Sequence, residues 1–249
     1  MILNKLNYIF LILVLVAEIL GTIGGFGSSV FFVPLGNFYF NFHSVLGMTA
    51  IFHVTSNLSK IMLFKKGLDK KLLLNIGIPS VAFVIIGGLL SKILAGGILE
   101  ILLAIFLIGL SLLFLIKQNL IISPTKRNAI NGGILSGFSA GLLGTGGAIR
   151  GLTMAAFNLE KSVFIATSAF IDFFIDLTRT IVYFQNGYIK KEILIYLPFL
   201  VVIGFLGTYI GKWILNFIPQ ARFKRISLIL ILLVGCFSLS KVVLEHYFP

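Results

Sequence analysis

Two stretches of this chain, about 119 residues apart, carry the same succession of motifs. The first reads Gly21-x-x-Gly24-Gly25-Phe26-Gly27, then His43-Ser44-Val45, Asn57-Leu58-Ser59-Lys60, Gly67 and Pro79. The second reads Gly141-x-x-Gly144-Thr145-Gly146-Gly147, then Lys161-Ser162-Val163, Asp176-Leu177-Thr178-Arg179, Gly187 and Pro198. The offset is 120 at Gly21/Gly141, 118 at Ser44/Ser162 and 119 at Lys60/Arg179. Such a chain folds as two related halves, a first repeat at residues 1–119 and a second at 120–249, within one domain. A duplicated apolar unit with glycine breaks at matching places is how many secondary transporters are built.

The apolarity sets the class. Of 249 residues, 58% are hydrophobic and 11% charged, against about 25% charged in a soluble domain. The expected fold is an all-α polytopic membrane protein, and the apolar stretches leave no room for a soluble domain. The net charge of +12 fits Lys and Arg collecting in cytoplasmic loops better than it fits nucleic-acid binding. Cys236 is the one cysteine, so there is no disulfide framework. The apolar run from Tyr8 to Leu20 contains Glu18 and no small-residue cleavage site, and reads as a retained helix, not a signal peptide.

Eight spanning segments are expected, since about 20 helical residues cross a bilayer core. They are Tyr8–Pro34 with an interruption at Gly24–Ser28, Ser44–Phe64, Leu72–Leu94, Gly97–Ile116, Ala129–Phe157 with a break at Gly144–Gly147, Ser162–Phe184, Glu192–Phe217 and Phe223–Val243. With eight crossings, both termini and the loops after the second, fourth and sixth spans share one side. That side holds eleven basic residues against six, which places both termini in the cytoplasm; the cluster Arg222/Lys224/Arg225 is discordant. If each glycine-broken segment is instead a re-entrant hairpin, the parity changes and the repeats become inverted. The sequence leaves both open.

The breaks at Gly24, Gly25, Gly27 and Ser28 and at Gly144, Thr145, Gly146 and Gly147 are too glycine-dense for continuous helix, since each interior glycine costs roughly 1 kcal/mol relative to alanine. Backbone freed inside hydrocarbon survives only where it is buried in protein or lines a wet cavity. Helix N-termini beside the breaks would present N–H groups to an anion. By contrast, Gly132/Ser136, Gly133/Gly137 and Gly137/Gly141 read as a helix-packing face.

The second span carries Thr49, His53, Asn57 and Lys60, and the sixth carries Ser168, Asp172, Asp176 and Arg179, aligned one to one at the offset of 119. Their i, i+4, i+8, i+11 spacing is one helix face. Ionisable groups inside a membrane face the bundle interior and mark substrate or proton paths. Arg179 offers paired donors to an oxyanion, with Lys60 as its counterpart and Arg150 as a further cation. Asp172 and Asp176, one turn apart beside Arg179, are proton-coupling candidates together with Glu18 and His53. Glu18 has no counterpart in the second repeat and is a candidate partner for Lys60.

No Walker A loop, HExxH pair or Cys/His ligand spacing is present, so ATP drive, a metal and a cofactor are not expected. Gly137-Phe138-Ser139-Ala140-Gly141 matches Gly-x-Ser-x-Gly, but no strand precedes it, so an enzyme is not expected either.

At the glycine-rich breaks, with Pro34 seven residues beyond Gly27, and in its eight-span length, the chain resembles the TauE/SafE family of sulfite exporters and toluene sulfonate uptake permeases. The resemblance implies a permease that exports or takes up small sulfur-containing anions, such as sulfite or organosulfonates, across a bacterial cytoplasmic membrane. The expected partners are that anion and the lipid bilayer; a homodimer is compatible with the sequence and not demonstrated by it. The rivals are a passive anion channel and a non-transporting membrane assembly factor.

Overall fold

A computed structural model describes residues 7–24, 27–64, 67–117, 122–215, 217 and 220–247, which form helices and connections with no strand among them. The helices are α1 (Tyr8–Gly24), α2 (Ser29–Gly36), α3 (Phe42–Leu63), α4 (Lys70–Ile93), α5 (Gly96–Ile116), α6 (Lys126–Leu143), α7 (Gly147–Ala155), α8 (Lys161–Gln185), α9 (Leu197–Ile214) and α10 (Gln220–Tyr247). By length and hydropathy α4, α5 and α9 can each cross a membrane, and α1 and the Leu228–Leu244 part of α10 are shorter apolar helices. α3 and α8 are long enough, at 22 and 25 residues, but carry the polar residues. Charge is turned inward: Glu18, Lys60, Arg150, Asp176 and Arg179 are buried, while Ile93, Ile116 and Phe184 stand exposed on the outside. That is the arrangement a bilayer demands and water penalises.

Local chemistry fixes the helix starts. Asn41 Oδ1 accepts from the Ser44 N–H at 3.0 Å to open α3, Asp69 Oδ1 accepts from the Leu72 N–H at 2.9 Å to open α4, and Thr125 Oγ1 accepts from the Asn128 N–H at 3.2 Å to open α6. α4 widens into a π-helical stretch at Leu73–Gly77, just ahead of Pro79, whose ring cannot fit the regular ladder.

The first segment of each half is a hairpin. α2 returns along α1, so Phe10 at the start of α1 packs edge-on against Phe32 and Phe40, with ring centroids 5.9 and 5.1 Å apart. At the other end of the same pair Ser28 donates to Glu18. α7 returns along α6: Ser136 Oγ donates to the Gly146 carbonyl at 2.9 Å, and a Cβ on Gly132 would come within 2.1 Å of Thr153 Oγ1. The turns use Gly27 at φ +78° and Gly144 at φ +76°, a backbone region that side chains with a Cβ resist.

α3 and α8 cross antiparallel. Gly47 packs against the Tyr188 carbonyl, Asn57 Nδ2 donates to Asp176 at 2.7 Å, and the Asp69 N–H donates to Thr167 Oγ1 at 3.0 Å. α4 runs parallel to α6, with Gly133, Gly137 and Gly141 against Ile76, Ser80 and Val84, and α1 runs parallel to α9, with Gly207 and Gly211 against Glu18 and Thr22. These close glycine approaches are the packing face expected of small residues.

The hairpins regroup the loops. One face of the bundle gathers the start of α1, the 37–41, 94–95 and 186–190 connections and the end of α10, where Lys241 Nζ donates to the Asn37 carbonyl at 3.2 Å. The opposite face gathers the ends of α3 and α9, tied by Lys212 Nζ to the Leu63 carbonyl at 2.8 Å, with the 67–69, 122–125 and 156–160 connections. The expected grouping, in which the loop after the second span shared a side with both termini, does not hold, because each hairpin returns the chain to the face it came from. Of the described basic residues, Lys92, Lys190, Lys191 and Lys241 belong to the first face; Lys70, Lys71, Lys117, Lys126, Arg127, Lys161, Lys212, Arg222, Lys224 and Arg225 belong to the second. Arg222, Lys224 and Arg225, discordant under eight crossings, lie at the start of α10 with the majority. Lys5, Gly25, Phe26, Lys65 and Lys66 lie outside the described residues.

Candidate functional site

The two hairpins enter the bundle from opposite faces and their tips meet, Ser29 Oγ donating to Thr145 Oγ1 at 3.1 Å. Between the tips lies a polar cavity lined by Gly27, Asn57, Lys60, Arg150 and Asp172 throughout. Its inner part adds Ser29, His53, Gly144, Gly146, Gly147, Asp176 and Arg179. Its outer part adds Gly21, Thr22, Phe164, Ile165, Ser168 and Ala169, from the end of α1 and the start of α8, and so leads toward the second, basic face.

Three ion pairs wall this cavity. Lys60 Nζ lies 2.9 Å from Glu18 Oε1. Glu18 is fully enclosed: its Oε1 accepts from Ser56 at 2.5 Å, Thr208 at 3.0 Å and Thr22 at 3.3 Å, while Ser28 donates to its other oxygen. Arg150 donates to Asp172 through Nη2 and to Ser168 Oγ through Nε at 3.1 Å. Arg179 Nε lies 2.8 Å from Asp176 Oδ1, and its Nη1 donates to the Gly144 carbonyl at 2.7 Å. The last contact satisfies a carbonyl freed at a helix break from within the protein. Asn57 holds the other oxygen of Asp176, so the residues that correspond at an offset of 119 meet across the α3/α8 crossing. His53 Nε2 lies 3.4 Å from Ser28 Oγ, between the Phe32 and Phe52 rings.

Of the residues singled out in the sequence, Gly27, Lys60, Gly144, Gly146, Gly147, Arg150, Arg179, His53, Asp172 and Asp176 all line this one cavity. Glu18, Ser28 and Thr145 stand immediately behind it, Glu18 paired with Lys60. Gly24 closes α1 and is not among the lining residues, and Gly25 lies outside the described residues. The division of charges differs from the expected one. The sequence set both Asp172 and Asp176 beside Arg179, whereas each has its own arginine, because the α7 return brings Arg150 onto α8.

Ser56, Thr22, Thr208, Ser29 and Tyr183 join the site without being defined positions of any recurring motif. Ser56 had a local signal, one helical turn before Lys60. Thr208 had only its place between Gly207 and Gly211 on a close-packed face. Tyr183 donates to the Ala140 and Gly141 carbonyls at 3.1 and 2.7 Å, fastening α8 to the α6 end of the second hairpin. Ser139, the centre of the hydrolase-like pattern, lies inside α6 and donates to the Ser136 carbonyl at 3.1 Å. A separate groove at Leu73, Gly77, Ile78, Val81, Phe170, Ile171 and Phe174 has no charged or hydroxyl side chain in its lining.

A cavity walled by paired charges at the meeting point of two broken helices, inside an apolar shell, is what a solute-translocating membrane protein requires. No curated protein and no solved structure matches the chain. A profile of the family described as sulfite exporter TauE/SafE matches residues 9–238. The chain therefore belongs to the sulfite exporter TauE/SafE family and is a multi-pass membrane protein of transporter type.

Proposed function

We propose that the chain is a secondary carrier for a small, sulfur-containing anion such as sulfite or an organosulfonate, acting in a bacterial cytoplasmic membrane. The observation that carries this reading is the convergence of Lys60, Arg150 and Arg179 on one cavity between oppositely directed hairpin tips. The N-terminal end of α7, at Gly147, borders the same space and adds a partial positive charge. Residues 1–119 and 120–249 act as inverted repeats, a reading supported by the antiparallel α3/α8 crossing at Asn57 and Asp176. Alternating access rocks one repeat against the other around the site. The basic face is cytoplasmic, because Lys and Arg accumulate there. Both termini then lie on the outer side, in place of the cytoplasmic placement expected from eight crossings.

The test is uptake by purified protein in proteoliposomes, with labelled sulfite, an alkylsulfonate, sulfate and acetate, beside an Arg179→Ala control. Saturable uptake of a sulfur oxyanion that collapses in the control is the expected result. Folded protein that moves none of these anions would remove the reading.

A further inference from the structure

The three cations of the cavity are all matched. Lys60 pairs with Glu18, Arg150 with Asp172 and Arg179 with Asp176, so three positive charges stand against three negative ones. Among the described residues no other Asp, Glu, Lys or Arg lines the cavity. A monoanion entering alone would leave one uncompensated negative charge in a buried space, which is unfavourable.

We propose that each monoanion bound here is accompanied by one proton, taken up by Asp172. This deepens the carrier reading above and rests on it. The three carboxylates are not equivalent. Glu18 is fully buried and held by Thr22, Ser28, Ser56, Thr208 and Lys60. Asp176 is 5% exposed and held by Asn57 and Arg179. Asp172 is 19% exposed, borders both parts of the cavity and takes Arg150 as its partner. The groups that face it are Arg150 from α7, Lys60 and His53 from α3, and Asp176 and Arg179 from its own helix; α4 brings no charged side chain to the cavity.

A proton from the aqueous phase converts the Asp172 carboxylate to the acid. The Arg150 guanidinium is released from Asp172 and turns its Nη2 donor to the incoming anion, while Nε stays on Ser168. The cavity keeps its net charge. Anion and proton leave together on the other side, and Asp172 re-pairs with Arg150. The cycle moves no net charge.

The test uses the full chain and an alkylsulfonate, whose own protonation does not change across the pH range used. Titration calorimetry in two buffers of different ionisation enthalpy reads the protons taken up per anion. The expected value is close to one in the wild type and close to zero in Asp172→Asn. Wherever Asp172 is ionised in the free protein, the apparent Kd weakens about tenfold per pH unit. Sulfonate flux into proteoliposomes rises with an inward proton gradient and is unmoved by a valinomycin-imposed potential, a reading that needs no variant. Zero proton uptake in the wild type, or flux that scales with the potential, overturns the inference while leaving the carrier reading intact. Uptake near one that survives in Asp172→Asn moves the acceptor to Asp176 or His53 and overturns the assignment. Absence of binding and flux for every anion tested defeats the carrier reading instead.

Discussion

Arg179 joins two parts of the site: the Asp176 carboxylate on its own helix and the Gly144 carbonyl at the second hairpin tip. Arg179→Ala leaves a buried carboxylate without its partner, a change that costs about 3–5 kcal/mol. The expected readout is a clear fall in the thermal midpoint of the detergent-solubilised protein together with loss of flux; an unchanged midpoint would contradict the pairing. At this scale the sequence was informative about which residues matter and less about their partners. The i, i+4, i+8, i+11 spacing put Asp172, Asp176 and Arg179 on one face, and that face does line the cavity. Arg150 could not be assigned to Asp172, because their proximity depends on the direction α7 takes after Gly147. Glu18 has no acidic counterpart at the aligned position, so the recurring motifs lent it no support, and its partners are Ser28 and residues of α3 and α9.

The elements that carry the site are the hairpins, and their closeness depends on missing side chains. Gly132 leaves room for Thr153, and a Cβ there would overlap its Oγ1, Cγ2 and Cβ at 2.1, 2.5 and 2.7 Å. Gly132→Ala is therefore expected to destabilise the chain by about 1–3 kcal/mol through overpacking, and Thr153→Gly in the same chain to recover part of the loss. Additive losses in the double variant would contradict the contact. Gly144→Ala meets a second obstacle, since φ +76° costs a residue with a Cβ about 1–2 kcal/mol and Leu46 lies 2.6 Å from the new atom. The glycine breaks themselves were legible from composition. The turn-back was not, since a broken helix and a hairpin share the same glycines and differ in which distant residues, such as Phe10 with Phe40, come together.

The whole molecule turns on that difference, because a returning hairpin reverses the side on which every later loop emerges from the first half. With Cys236 replaced by Ser, Lys190→Cys is expected to react with an impermeant maleimide in intact cells, and Leu68→Cys only after permeabilisation; the reverse pattern would restore cytoplasmic termini. The cavity is also one-sided. Phe164, Ile165 and Ser168, all partly exposed, line its outer part, while the residues 119 positions earlier, Val45, Leu46 and Thr49, are buried. The outer part of the cavity thus lies toward the basic face, and the matching positions toward the other face are packed. Ile165→Cys should accept a small aqueous thiol reagent readily and Leu46→Cys slowly, with the ratio shifting when a transported anion is added. The central claim is a carrier with a single site reached alternately from two sides, and counterflow tests it most directly. Proteoliposomes loaded with unlabelled anion and diluted into a trace of labelled anion should accumulate the label transiently above its external concentration. Label that only relaxes to the external level, with no overshoot, would contradict the account and identify a passive channel.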